Sequence, residues 1–389
     1  MLPLELLPLT DAERAHESRV REGIAAAIEA AGGWLVFEEF MQFSLYAPGL
    51  GYYAAGAHKL GAGGDFITSP EIAPVFGDCL ASQCAEVLAG LGGGDILEIG
   101  AGSGVMAEQI LRGLAKVGQL PDKYRILEVS PDLRDRQKKR LASLPLPLRA
   151  RVEWLDEPPA LPYAGVLLAN EVIDALPVAR LRATEQGLMI LGVEMHADQL
   201  RETARPAGMD TVRRIANMGI ELASGQEMEW CPRLPAWLLA VTQSLSAGVA
   251  LFIDYGDSRS SLYSADRPQG TLAAFHRHRL HHDPYVHLGL QDLTAWVDFT
   301  AVAESAIAAG LEVVGYTTQA CFLLGCGFER HLASWRAALP EAEEPLAARA
   351  ALRLVLPNDM GERFKCMALA RNYDGPLMGF SIKDLTGSL

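Results

Sequence analysis

The chain has 389 residues, 50% hydrophobic and 21% charged, which supplies a sizeable core and excludes an intrinsically disordered chain. A formal charge of −14, from 34 basic and 48 acidic residues, argues against a general binder of nucleic acid or anionic lipid. Six cysteines without a Cys-x-x-Cys pair fit buried free thiols in a reducing compartment rather than a secreted disulfide scaffold.

In chain order, the N-terminus carries acidic charges first and no long apolar run, so neither a signal nor a transit peptide is expected and a cytoplasmic location is. A helix is expected over 13–31. The following segment, YAPGLGYYAAGAHKLGAGGDFITSP, is so rich in glycine and aromatics that residues 49–70 read as an ordered lid. Then strands and helices alternate: strand 96–99, helix 105–117, strand 124–129, helix 133–144, strand 151–154, strand 165–169 and strand 249–253. Such alternation predicts a parallel sheet with right-handed crossovers. The run RDRQKKR at 134–140 reads as a solvated helix face. Residues 234–253 carry no charge and are numerous enough to span a bilayer. Pro235, Thr242, Gln243, Ser244, Ser246 and Gly248 break the stretch into a helix to 244, a turn at 246–248 and a strand, so no membrane insertion is expected. The tail adds a helix at 304–309, a strand at 311–316, helical sequence over 329–356 and a last strand at 364–370. The organisation is therefore an N-terminal helix and lid region over 1–75, then an α/β core over 76–389 interrupted by insertions at about 178–232, 257–300 and 320–360.

The first strand runs into DILEIGAGSG. Gly100, Gly102 and Gly104 let the backbone turn tightly and bring a ligand to a helix N-terminus. A dinucleotide site shares this design, and Gly102 to Ala107 fits the G-x-G-x-x-G/A pattern. Glu98 favours S-adenosyl-L-methionine instead: its carboxylate suits the ammonium of that cofactor and would repel a pyrophosphate. Glu128, 24 residues after Gly104, is placed to accept from both ribose hydroxyls, which either cofactor offers. Asp156, after the third strand, would accept from the adenine amine or simply form a surface turn before Pro158.

The fourth strand leads into Asn170-Glu171-Val172-Ile173-Asp174. Ligands of open α/β sheets lie off the carboxyl ends of the strands, so these polar residues are the candidates for contact with the methyl acceptor. Asn170 is expected to cap a helix there. Glu171 and Asp174, three apart on its first turn, would then share a face. Asp254 to Asp257, after the fifth strand, would line the same pocket or make a turn.

The strings GYYAAGAHKLGAGGDFITSPEIAPVFGDCLA, ILEIGAGSG, YRILEVSPDLRDRQ, ANEVIDALPV, DLTAWVDFTAVAE and MGERFKCMALAR together resemble the MidA family, over roughly residues 18–371. The resemblance implies a class I methyltransferase fold, Rossmann-like, with a mostly parallel seven-stranded sheet, the lid region and helical and loop insertions. It also implies S-adenosyl-L-methionine as cofactor. Its mitochondrial members methylate a protein arginine on a respiratory complex I subunit, so a protein substrate carrying an arginine is implied, and a homodimer fits as well. Carried over, Glu98, Gly100, Gly102 and Gly104 match the cofactor loop and Glu128 the ribose acid. Asn170, Glu171 and Asp174 match the motif after strand four, and Gly63, Gly64, Asp65, Pro70 and Glu71 the N-terminal signature. Gly64 and Asp65 are accordingly counted with the cofactor site. The family pattern places an arginine at or near Ala273, which departs from it on the substrate side. A small-molecule methyltransferase and a cofactor-binding assembly chaperone without catalysis are the alternatives on the same fold.

His276, His278, His281, His282 and His287 cluster in one insertion. With no cysteine or H-E-x-x-H pattern beside them, no metal is expected. Six tryptophans read as packing residues.

Overall fold

The computed structural model describes residues 8–55 and 68–389. They fall into two compact units. The first holds residues 8–55, Asp174–Arg233 and Arg259–Trp296; the second holds 68–173, Leu234–Ser258 and Val297–Leu389. This division differs from the boundary expected after residue 75, because segments far apart along the chain share the first unit.

The second unit is built on an eight-stranded sheet. Seven of its strands are labelled in chain order: β1 (Asp95–Ile99), β2 (Tyr124–Leu127), β3 (Val152–Leu155), β4 (Tyr163–Asn170), β5 (Leu245–Asp257), β6 (Glu312–Thr318) and β7 (Phe364–Arg371). Their order across the sheet is β6-β7-β5-β4-β1-β2-β3. β5, β4, β1, β2 and β3 pair in parallel, whereas β7 is antiparallel to both neighbours. A short strand, Val297–Asp298, extends β5 in parallel. β4 reads YAGVLLAN and is buried along nearly its whole length, as a strand covered on both faces must be. Ile96, Val166, Leu168, Val249 and Leu251 from the sheet pack with Cys79, Val87 and Leu88 of the helix Val75–Leu91.

The chain builds β1 to β3 outward in one direction, then returns to lay β4 on the other side of β1. The order therefore reverses between β1 and β4. That switch point opens a crevice at the carboxyl ends of these two strands.

The expected helix 105–117 is present as Val105–Val117. In the uncharged stretch the helix is Leu234–Thr242 and β5 begins at Leu245. The turn expected at 246–248 is absent because Ala247 and Gly248 already pair with β4, with Ser246 at an irregularity in the register. Among the described residues no helix is long and apolar enough to cross a membrane.

The first unit opens with the helix Asp11–Ala30, started by a capping box between Thr10 and Glu13. Val20, Ile24 and Ile28 form its buried stripe. A five-stranded antiparallel sheet contains Leu35–Val36, Ala179–Thr184, Gly187–His196, Gln199–Pro206 and Glu227–Trp230. A three-stranded sheet contains Ala273–His276, Arg279–His281 and Asp292–Thr294. Two hairpins turn on residue pairs with positive φ, Ala197–Asp198 and Arg277–His278, the geometry that a two-residue hairpin loop demands. Arg180 and Arg182 are held among Glu202, Glu227 and Glu229. Burial of these charges is tolerable because each is paired.

Candidate functional site

Two loops leave the switch point. The first is the glycine turn after β1. Gly100, Gly102 and Gly104 have φ of 65°, 55° and 80°, a region that residues with a Cβ seldom enter. Space is also tight, since a Cβ on Gly104 would lie 3.3 Å from the Gln137 backbone and one on Gly100 3.2 Å from Val172. Gly104 starts the helix Val105–Val117, and no side chain caps it. Its first amides therefore have no side-chain acceptor, an arrangement that suits an anion.

Glu98 lies beneath this turn, fully buried on β1. The Tyr124 hydroxyl donates to its Oε2 at 2.6 Å, and Oε1 has no partner among the described residues. Burial raises the carboxyl to a pKa of about 7 against the Tyr124 hydrogen bond. A buried acceptor in this state is short of a cationic donor, which is what an amino-acid ammonium supplies. Glu128, at the end of β2, is also buried. Its Oε1 accepts from the Ser130 amide at 2.9 Å and its Oε2 from Gln137 at 2.9 Å. A carboxylate has about four acceptor sites, so capacity for a pair of hydroxyls remains. Val129 beside it is 72% exposed, an apolar face turned to solvent next to that acid.

The helix Pro131–Leu141 supplies what the sequence reading missed. RDRQKKR is not simply a solvated face. Arg134, Gln137 and Arg140 recur every third residue and grip the site from behind. Gln137 is fully buried, and its amide donates to both Gly102 O at 3.0 Å and Glu128 Oε2. It accepts from the Trp154 indole at 3.0 Å. Arg140 donates to Ser103 O at 3.1 Å. Arg134 donates to the carbonyls of Glu128 and Leu155. Because every residue of this run is polar, no spacing within it marks the buried face. Asp156 has an 85% exposed side chain and pairs with Arg134 at 2.8 Å, which is the surface-turn alternative.

The second loop follows β4. No helix forms there: 171–176 are bends and turns. Asn170 is consequently not a helix cap, and the helical spacing that set Glu171 and Asp174 on one face is not formed. The reason lies in the backbone. Glu171 has φ of 54°, and the amides of Val172 and Ile173 donate to Asp254 Oδ2 at 3.2 and 2.9 Å instead of entering a helical turn. Asp254, buried on β5, thus shapes the loop. Glu171 Oε1 accepts from the Ser69 amide at 3.1 Å and Asn170 Nδ2 at 3.0 Å. Asp174 belongs to the other unit. There it is buried near Tyr53, whose hydroxyl donates to both oxygens of Asp292 at 3.0 Å. Burial, then the Asp292 charge, holds the Tyr53 phenol well above its usual range, with a smaller push from Asp174.

Gly63, Gly64 and Asp65, and residues 56–67 of the proposed lid, lie outside the described residues. In the histidine insertion the His276 and His287 rings stand 4.4 Å apart. Among the described residues no group of three or more histidine, cysteine or acidic side chains is arranged to hold a metal. A cleft of about 730 Å³, lined by Gly93, Asp95, Arg125, Glu153 and Tyr163, lies at the amino ends of the strands, away from both loops.

The model of the family Methyltransf_28, an S-adenosyl-L-methionine-dependent methyltransferase, matches residues 79–317. The chain belongs to this family. The match takes in β1 to β5 and both loops. The chain is 37% identical to a COG1565 superfamily member of Burkholderia thailandensis whose crystal structure holds S-adenosyl-homocysteine, with a TM-score of 0.93 over 99% of this chain and 100% of that one. It is 29% identical to the mitochondrial protein arginine methyltransferase NDUFAF7 of Mus musculus, covering 87% of this chain and 81% of the relative. Its identity to the Drosophila melanogaster homolog is 29%, covering 95% and 90%. The protein is thus a MidA-family enzyme of the class I methyltransferase fold that uses S-adenosyl-L-methionine. The residues present fit that cofactor. The orphaned Glu98 Oε1 and the uncapped helix suit its ammonium and carboxylate, and Glu128 suits its ribose. When bound, the cofactor supplies an electrophilic methyl group on sulfur.

Proposed function

We propose that the protein methylates an arginine side chain of another protein. The observation that carries this reading is the Glu171 carboxylate, held at the carboxyl end of β4 by Ser69 and Asn170. The naming of its mitochondrial relatives supports it. A guanidinium is protonated and poorly nucleophilic. A fixed carboxylate pairs with it in a defined geometry and draws its positive charge toward the paired nitrogen, so that another nitrogen attacks the methyl carbon as the carbon–sulfur bond breaks and then gives up its proton to solvent. Positioning then carries most of the rate.

The test uses labelled cofactor and lysate from cells that lack the protein. Label should appear in a protein band, on arginine by mass spectrometry. Glu171→Gln should keep affinity for S-adenosyl-homocysteine and lower transfer by ~2–4 kcal/mol. Label found only in the small-molecule fraction would replace this reading with a small-molecule acceptor. Wild-type transfer by Glu171→Gln would remove the role given to that carboxylate.

A further inference from the structure

We propose that Glu71 is a second carboxylate of the cofactor site, and that it takes the ammonium of the methionine end. Glu71 lies on the short helix Ser69–Ile72. This segment is tied to the site at three points. The Ser103 hydroxyl donates to Glu71 Oε1, Gln109 donates to Pro70 O at 3.0 Å, and the Ser69 amide donates to Glu171.

Ser103 is a member of the glycine turn, between Gly102 and Gly104, and both it and Glu71 are half-buried. The Glu71 carboxylate is therefore fixed on the turn that receives the cofactor. Arg140 holds the Ser103 carbonyl while Glu71 holds its hydroxyl, so the turn is set between a cation and an anion. Among the described residues, Ser103 is the only hydrogen-bond partner of the Glu71 carboxylate, and Oε2 of Glu71 stays available to a donor.

An amino-acid end carries two opposite charges. The uncapped start of the helix Val105–Val117 suits the carboxylate, and a carboxylate on the turn suits the ammonium. Glu98 by itself serves this need incompletely. It is fully buried and one of its oxygens is committed to Tyr124. Its orphaned Oε1 is an independent sign that a donor belongs here. The turn thus has one carboxylate beneath it on β1 and a second, Glu71, bonded to its Ser103. The Ser69 tie then links the cofactor turn to the loop that carries Glu171.

The test is calorimetric and needs no methyl acceptor. Three ligands are titrated into the full chain: S-adenosyl-homocysteine, S-adenosyl-3-thiopropylamine, which keeps the amine and lacks the carboxylate, and methylthioadenosine, which lacks both. Glu71→Gln should weaken the first two at least about tenfold, the size of one lost charge-assisted bond, and leave methylthioadenosine unchanged. Equal weakening of all three would show a packing role and overturn the proposal, as would unchanged binding of S-adenosyl-homocysteine. If Glu71→Gln does not fold, Ser103→Ala decides. It keeps the charge but frees its anchor, and the same ligand pattern is expected at smaller size; loss shared by methylthioadenosine overturns the proposal.

Discussion

Glu98 shows how one buried carboxyl connects cofactor binding to pH. Its pKa of about 7 arises from burial. Such a group holds its proton more tightly folded than unfolded. Its contribution to stability is full below the unfolded value, near 4.5, and is lost as pH rises through about 7. Across this window the free protein should lose up to about 3 kcal/mol that Glu98→Gln does not. Urea denaturation at both ends of the window measures it, and parallel curves for the two proteins would count against the assignment. A cofactor ammonium favours the charged form, so binding of S-adenosyl-homocysteine below about pH 7 should release a proton. Titration in buffers of different ionisation heat reads this directly, and Glu98→Gln should abolish it. Glu171 illustrates the other residue-scale effect. A non-glycine residue at φ of 54° costs about 1–3 kcal/mol, and it is kept there by the Ile253 carbonyl, which accepts from the Glu171 amide, and by Asp254.

At the scale of elements, the helix Pro131–Leu141 joins the two halves of the cofactor site through Gln137. Replacing Gln137 by Leu leaves Glu128 and the Gly102 carbonyl each short of a donor. Affinity for S-adenosyl-homocysteine should fall by ~1–3 kcal/mol, with the fold retained; unchanged affinity would show that the turn and Glu128 are held independently. β4 and β5 meet at a second such point. Gly165 and Gly248 are register partners, and a Cβ on either would approach a neighbouring strand's carbonyl oxygen to 1.9 Å. Gly165→Ala should destabilise by more than about 3 kcal/mol, measured by denaturant melting. The sheet and the glycine turn were legible because each is local: an apolar run, a period, three glycines before a helix. The contribution of Gln137 was not, because a polar residue inside a charged run gives no sign that its face is buried. The helix expected after Asn170 failed for a similar reason. Its amides are claimed by Asp254, 82 residues away along the chain, and local propensity cannot register a competitor that distant. Asp174 then fell in the other unit, which three-residue spacing could not reveal.

For the whole molecule, the chain leaves the methyltransferase unit twice, after Ile173 and after Ser258. Both departures follow the carboxyl ends of central strands, β4 and β5, the edge at which open α/β sheets take ligands. The connections to the inserted residues thus leave the sheet at that edge. The chain as a whole carries a charge of −14. An anionic protein draws a cationic segment toward it and screens that attraction away as salt rises. If the acceptor is an arginine in a basic segment, kcat/KM should fall steeply between about 0.05 and 0.5 M salt. S-adenosyl-homocysteine is a zwitterion without net charge, so its affinity should change little over the same range. Transfer rates measured against salt at saturating cofactor separate the two effects. A flat profile would point to a neutral acceptor. A profile that falls only because cofactor affinity falls would locate the salt sensitivity in the Glu98 region rather than in acceptor capture.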